Sequence, residues 1–233
     1  PPPTIPSPAQ PPREMLMLSV SGRKPASVVI EPIARTLTRL GLSPNTVTVA
    51  GTCITIAIVV TLIPLNHLVW AAIFSAIFSA LDMVDGTMAR MRGAGTQFGA
   101  TLDATCDRLT DGALFGAITW WLIYTYHAHP SLIIASFVVL VTSQVISYVK
   151  ARGEASGFTM VGGLIERPER LILALGGIGL TGLGVPYAID IALWVLAVGS
   201  VYTVIQRLLM AAHSQEATQP SKPPAGAREF PHS

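Results

Sequence analysis

Four aspartates, Asp82, Asp85, Asp103 and Asp107, stand in one stretch of a largely apolar chain, DMVDGTMARMRGAGTQFGATLDATCD. Asp82 and Asp85 are three residues apart and Asp103 and Asp107 four apart, so on helices each pair shares a face. Carboxylates brought that close repel one another unless cations neutralise them. A donor set of oxygen alone, without His or Cys, favours Mg2+ or Mn2+ over zinc. Mg2+ typically sits between carboxylates and substrate phosphates, and two such ions would clamp a displacement at phosphorus. Gly86, Ala89, Gly95 and Gly99 remove bulk nearby, which would let a large ligand reach the backbone or let helices pack closely. The competing reading pairs the acids with Arg90, Arg92 and Arg108 in salt bridges; four acids at these spacings favour the metals. Asp111, one turn beyond Asp107, reads as orienting Arg108 or a ligand and is left outside the site.

The elements that carry these residues are membrane helices. Of the 233 residues 51% are hydrophobic and 12% charged, where a soluble domain has about 25% charged; the mean hydropathy is +0.55. Six spans of about 20 residues can be drawn, near Thr46–Ile63, His67–Met91, Phe98–Tyr126, Ser131–Ala151, Glu169–Leu183 and Pro186–Met210. The fifth is the weakest because of its GGIGLTGLG run. Before the first span, Val28, Val29, Ile33, Leu37 and Leu40 line one side of a helix and Arg35 and Arg39 avoid it, the pattern of an amphipathic helix on a membrane surface. Ser43-Pro44 reads as a helix cap followed by proline at the first helical position. The expected fold is therefore an all-α integral membrane protein, with six transmembrane helices after an N-terminal surface helix. It occupies residues 23–212, between Pro-rich, disordered tails at 1–22 and 213–233. Cys53 and Cys106 read as small buried hydrophobes rather than a disulfide or zinc pair.

Every Lys and Arg falls on one side of this six-span layout, while the loops near Pro64–Asn66, His127–Pro130 and Gly184–Val185 carry none. By the positive-inside rule that side is cytoplasmic and both termini lie inside, in the cell membrane. A net charge of +2 gives no reason to expect nucleic acid. An Asp at a helix centre costs about 2.5–3.5 kcal/mol on insertion scales. Such acids persist only where they face a polar cavity, and here all four lie toward the cytoplasmic ends.

The pattern Asp82-x2-Asp85-Gly86-x2-Ala89-Arg90-x8-Gly99-x3-Asp103-x3-Asp107 resembles, without departure, the signature of the CDP-alcohol phosphotransferases. The resemblance runs from the surface helix through the sixth span. It implies six helices around a cytoplasm-facing polar cavity, a site for two Mg2+ (or Mn2+) ions, and a homodimer. It implies that Asp82, Asp85, Asp103 and Asp107 hold the metals and that Asp107 also takes the proton from the attacking hydroxyl. Gly86, Ala89, Arg90, Thr96 and the residues Asn45, Thr46, Val47 and Thr48 would contact CDP-diacylglycerol.

Between the fourth and fifth spans, Ser147, Lys150, Arg152, Arg167 and Arg170 gather cations beside this site, as a second anion pocket for a phosphorylated acceptor would require. Ordinary positive-inside anchoring is the plainer account of the same charges. SYVKARGEASG followed by IERPERL is similar to the prokaryotic phosphatidylinositol phosphate synthases within that family, which implies that these five residues cradle the phosphate of inositol phosphate. The expected activity is phosphatidyl transfer from CDP-diacylglycerol to inositol phosphate. The alternatives are a phosphatidylglycerophosphate synthase using glycerol 3-phosphate and, from another class, a divalent-cation transporter.

Overall fold

The computed structural model describes residues 23–91, 93, 95–160 and 162–218, without the side chains of 23–29, 81–83, 215 and 216. The tail expected at 1–22, and residues 219–233 of the other, lie outside the described residues. Among those described there are seven α-helices and no strand: α1 (Arg23–Arg39), α2 (Pro44–Leu62), α3 (Leu68–Met91), α4 (Gln97–Tyr124), α5 (Pro130–Ala155), α6 (Arg167–Gly182) and α7 (Ala188–Ala212). A short 3-10 turn, Gln215–Thr218, follows. Four helices, α2, α3, α5 and α7, are long and apolar enough to cross a membrane. The other two expected spans differ for physical reasons. α4 has the length, 28 residues, but carries Asp103, Asp107, Arg108 and Asp111; α6 has only 16 residues, roughly 24 Å at about 1.5 Å per residue against a hydrocarbon core of about 30 Å.

Among the described residues the chain forms two compact units, one of residues 23–51 and 80–103, the other of residues 52–79 and 104–218. In the first, Ile30, Ala34, Val84 and Met88 make a small buried core, with Ile33, Leu37, Leu42 and Val47 packed on it. α1 is amphipathic as expected, but Ile30 and Ala34 lead its buried face. Leu40 lies past the helix end and is 70% exposed, and the side chains of Val28 and Val29 are outside the described residues. α2 begins as its sequence requires. Ser43 Oγ accepts from the Thr46 N–H at 3.1 Å and Pro44 supplies a first position that needs no donor.

The second unit has the larger core, built on Ile63, Leu114, Phe115, Ile118, Leu122, Val139, Ile178, Leu193 and Leu196. α7 packs on both α5 and α6. A buried hydroxyl pair, Thr119 and Ser136 at 2.6 Å, ties α4 to α5, and Trp121 Nε1 donates to Asn66 Oδ1 at 2.8 Å. Ile134, Ile191 and Val198 are well over half exposed; on helices of membrane length they form the surface that lipid covers. Cys106 is buried, but Cys53, also expected to be buried, is exposed, because Thr52 and Thr55 occupy the inward face of that turn.

The glycine run that weakens α6 as a sequence makes it pack closely as a structure. A Cβ at Gly177 would stand 2.8 Å from Ala192 Cβ, and one at Gly182 2.9 Å from the backbone nitrogen of Val69. Replacing Gly177 with Val is therefore expected to destabilise the protein by about 1–3 kcal/mol through overpacking, read as a lower Tm by intrinsic tryptophan fluorescence. Gly176→Ala, where nothing lies within 4 Å of the added carbon, should leave Tm unchanged.

Candidate active site

Asn45 and Thr48 are three residues apart on the first turn of α2 and share a face. They line a cavity of about 550 Å³ together with Asp85, Gly86, Ala89 and Arg90 of α3 and Thr96, Gly99 and Asp103 at the start of α4. Asp85 is fixed from two directions: Thr48 Oγ1 donates to Oδ2 and the Gly86 N–H to Oδ1. Arg90 is exposed, its Nη2 donating to Thr87 Oγ1 at 2.9 Å. Gly99 keeps the entrance to α4 clear, since a Cβ there would lie 3.1 Å from Thr96 Oγ1 and 3.2 Å from Asn45 Oδ1. Of the eight residues expected to contact the nucleotide, Asn45, Thr48, Gly86, Ala89, Arg90 and Thr96 line this cavity and Thr46 and Val47 do not. Thr46 is occupied with the Ser43 cap and Val47 packs into the small core.

Asp85 and Asp103 offer the cavity oxygen donors only. That chemistry fits a hard divalent cation held by one or two carboxylates and otherwise by water. Among the described residues no three acid, His or Cys side chains form a ready metal cage; the side chain of Asp82 lies outside them.

The second unit holds a charged cluster. Asp107 Oδ1 meets Arg167 Nη2 at 2.8 Å, and its Oδ2 lies 4.0 Å from Arg108. Asp111 is 1% exposed and touches three guanidiniums: Arg170 at 2.8 Å, Arg108 at 3.6 Å and Arg167 at 3.6 Å. Arg170 is equally buried, and its Nε and Nη1 have no hydrogen-bond partner among the described residues. The salt-bridge reading of the acids thus describes Asp107 as found here, with Arg167 as the nearer cation in place of the expected Arg108. Of the five residues expected around an acceptor phosphate, Arg167 and Arg170 come together in this cluster. Ser147 donates to the Ser143 carbonyl. Lys150 and Arg152, expected at and beyond the end of a span, lie within α5, which runs a turn further than predicted.

Two residues that the sequence did not single out hold α6 in place. Glu166 caps its first turn in a reciprocal box with Glu169. Arg207, buried in α7, donates to Glu166 Oε1 at 2.9 Å, to the Ile146 carbonyl at 2.7 Å and to the Gly162 carbonyl at 3.3 Å. Thr203 Oγ1 accepts from the Ile165 N–H at 3.0 Å. The segment leading to Arg167 and Arg170 is thereby pinned to α7.

These features, membrane-length helices and a cavity lined by most of a fixed Asp–Gly–Arg signature, fit a membrane-embedded transferase. The family model for CDP-alcohol phosphatidyltransferase matches residues 41–205, and the chain belongs to that family. It is 63% identical, over 91% of its own length and 97% of the relative's, to the phosphatidylinositol phosphate synthase of Corynebacterium glutamicum. It is 48% identical to that of Mycolicibacterium smegmatis, over 84% and 90% of the two chains. Among solved structures it resembles the Mycobacterium tuberculosis phosphatidylinositol phosphate synthase with CDP-DAG bound, with a TM-score of 0.80 and 47% identity over 83% of this chain and 98% of that one. The same enzyme in complex with manganese and citrate gives a TM-score of 0.79 at 48% identity, over 83% and 93%. Membership of an enzyme family removes the cation-transporter alternative.

Removing the Arg207 guanidinium would take one donor each from two carbonyls and from the partly exposed Glu166. Arg207→Met is expected to cost about 1–3 kcal/mol, seen as a lower Tm, whereas Arg152→Met, at an exposed side chain, should not change it.

Proposed function

We propose that the protein transfers a phosphatidyl group from CDP-diacylglycerol to inositol phosphate, giving phosphatidylinositol phosphate and CMP. The observation that carries this reading is the 63% identity, over 91% of the chain, to a phosphatidylinositol phosphate synthase. The cavity supports it: six of the eight residues assigned to the nucleotide lipid line its wall, and a solved relative is described with CDP-DAG bound. In this reading an inositol hydroxyl oxygen attacks the phosphorus next to diacylglycerol. The bond from that phosphorus to the CMP oxygen breaks, and CMP departs. Asp107 accepts the hydroxyl proton, and Arg90 offsets charge on the pyrophosphate.

Asp82, Asp85, Asp103 and Asp107 are the proposed holders of two Mg2+ (or Mn2+) ions, which when bound would supply charge neutralisation to the phosphoryl group. A solved relative in complex with manganese supports that choice. Arg167 and Arg170, with Ser147, Lys150 and Arg152, are the proposed acceptor pocket. The buried, unpaired donors of Arg170 support an anion there. Six spans with α1 on the membrane surface, both termini on the cytoplasmic side and a homodimeric enzyme complete the proposal. The one-sided Lys and Arg distribution supports the topology, and the family resemblance supports the dimer.

The test is acceptor-dependent CMP release from CDP-diacylglycerol by the purified protein. Turnover is expected with inositol phosphate, to be abolished by EDTA and restored by Mg2+ or Mn2+; turnover only with glycerol 3-phosphate would overturn the acceptor assignment. A Cβ at Gly86 meets nothing nearer than Arg90 Nη1 at 3.7 Å, so Gly86→Ala should keep CDP-diacylglycerol affinity. Gly86→Leu would fill the cavity and should lose about tenfold or more, about 1.4 kcal/mol, as measured by equilibrium binding.

A further inference from the structure

We infer that Asp111 is the positioning residue of the acceptor site, the anionic post that holds its guanidiniums in binding geometry; this rests on the proposed acceptor pocket. Asp111 lies one turn beyond the signature acids and outside any position the signature fixes. Its carboxylate is 1% exposed and contacts Arg170, Arg108 and Arg167. Each of these arginines could otherwise turn elsewhere. Arg108 and Arg167 already reach Asp107, whereas Arg170 has no other partner among the described residues. A buried guanidinium with a single counter-charge keeps its place only while that charge is present.

The arrangement leaves donors over. Arg170 uses Nη2 on Asp111, while its Nε and Nη1 are buried and unbonded, as is Arg108 Nε. A guanidinium has five N–H donors in a rigid plane, so the Nη2 end held by Asp111 leaves the other donors available to a second anion. Three arginines against Asp107 and Asp111 leave one positive charge, which favours a phosphate. Asp111 also competes with Asp107 for Arg108 and Arg167. Without it, both cations would close on the carboxylate proposed to accept the proton.

Charge and position predict opposite signs, which makes the role testable. If Asp111 only diluted the positive charge, Asp111→Asn would tighten anion binding. As a positioning residue its loss weakens binding. The experiment compares full-length wild type, Asp111→Asn and Asp111→Glu in detergent or nanodiscs. Inorganic phosphate binding is measured by calorimetry, independently of turnover, alongside KM for inositol phosphate and for CDP-diacylglycerol. Asp111→Asn is expected to weaken phosphate binding and raise the acceptor KM by about tenfold or more. The CDP-diacylglycerol KM should stay within about twofold, a change below about 0.4 kcal/mol. Asp111→Glu, which keeps the charge one methylene further out, should fall between and serves as the readout if Asp111→Asn does not fold. Tighter or unchanged phosphate binding, or equal loss for both substrates, would overturn the proposal. Should wild type use a different phosphorylated acceptor, the functional reading changes, while the phosphate titration still decides the role of Asp111.

Discussion

A guanidinium placed inside an apolar helical bundle is stable only beside a fixed negative charge, and Arg170 meets that condition through Asp111 at 2.8 Å. Much of the second unit's polar architecture follows from this pair. It fixes α6 against α4 at the level where Asp107 and Arg167 meet. The capping box of Glu166 and Glu169 sets where α6 begins, and Arg207 secures Glu166 from α7. Three helices are thus registered by charge, within a core whose apolar contacts are far less particular about register. The same condition explains why α4 is long but not uniformly apolar: its charged turns face partners rather than lipid.

The first unit solves a different problem with small residues. Its cavity needs open space beside carboxylates, and Gly86, Ala89 and Gly99 provide it while the backbone stays helical around them. Asp85 is held by a hydroxyl and a backbone N–H rather than by a cation. Those donors orient the carboxylate without cancelling its charge, which leaves it free to act on a cation. Asp107, by contrast, meets Arg167 and Arg108. Two signature acids therefore differ in electrostatic setting although their sequence context reads alike.

How far the sequence announced this depends on whether the responsible interactions are local. Apolar run length locates α2 to α7 to within a few residues, amphipathic spacing locates α1, and the Ser43-Pro44 start needs only neighbouring atoms. Two of the four signature acids, Asp85 and Asp103, line the cavity of the first unit. Within the block Asn45 to Thr48, a helix turning about 100° per residue leaves positions 45 and 48 lining the cavity and 46 and 47 away from it. Nothing local marks Asp111, because its partner Arg170 lies 59 positions away. The Glu166–Arg207 clasp, 41 positions apart, left no periodic trace. Cys53 was misread because apolar sequence does not distinguish a face toward protein from one toward lipid.

The glycines of α6 have a thermal consequence. Contacts such as Gly177 against Ala192 bring backbones together with almost no side chain between them, and in lipid such packing draws on dispersion rather than on expelled water. Water-driven association carries a large heat-capacity change and weakens on cooling. Closeness of this kind lacks that component, so the seating of α6 against α7 should depend less on temperature than that of a leucine-packed helix in water.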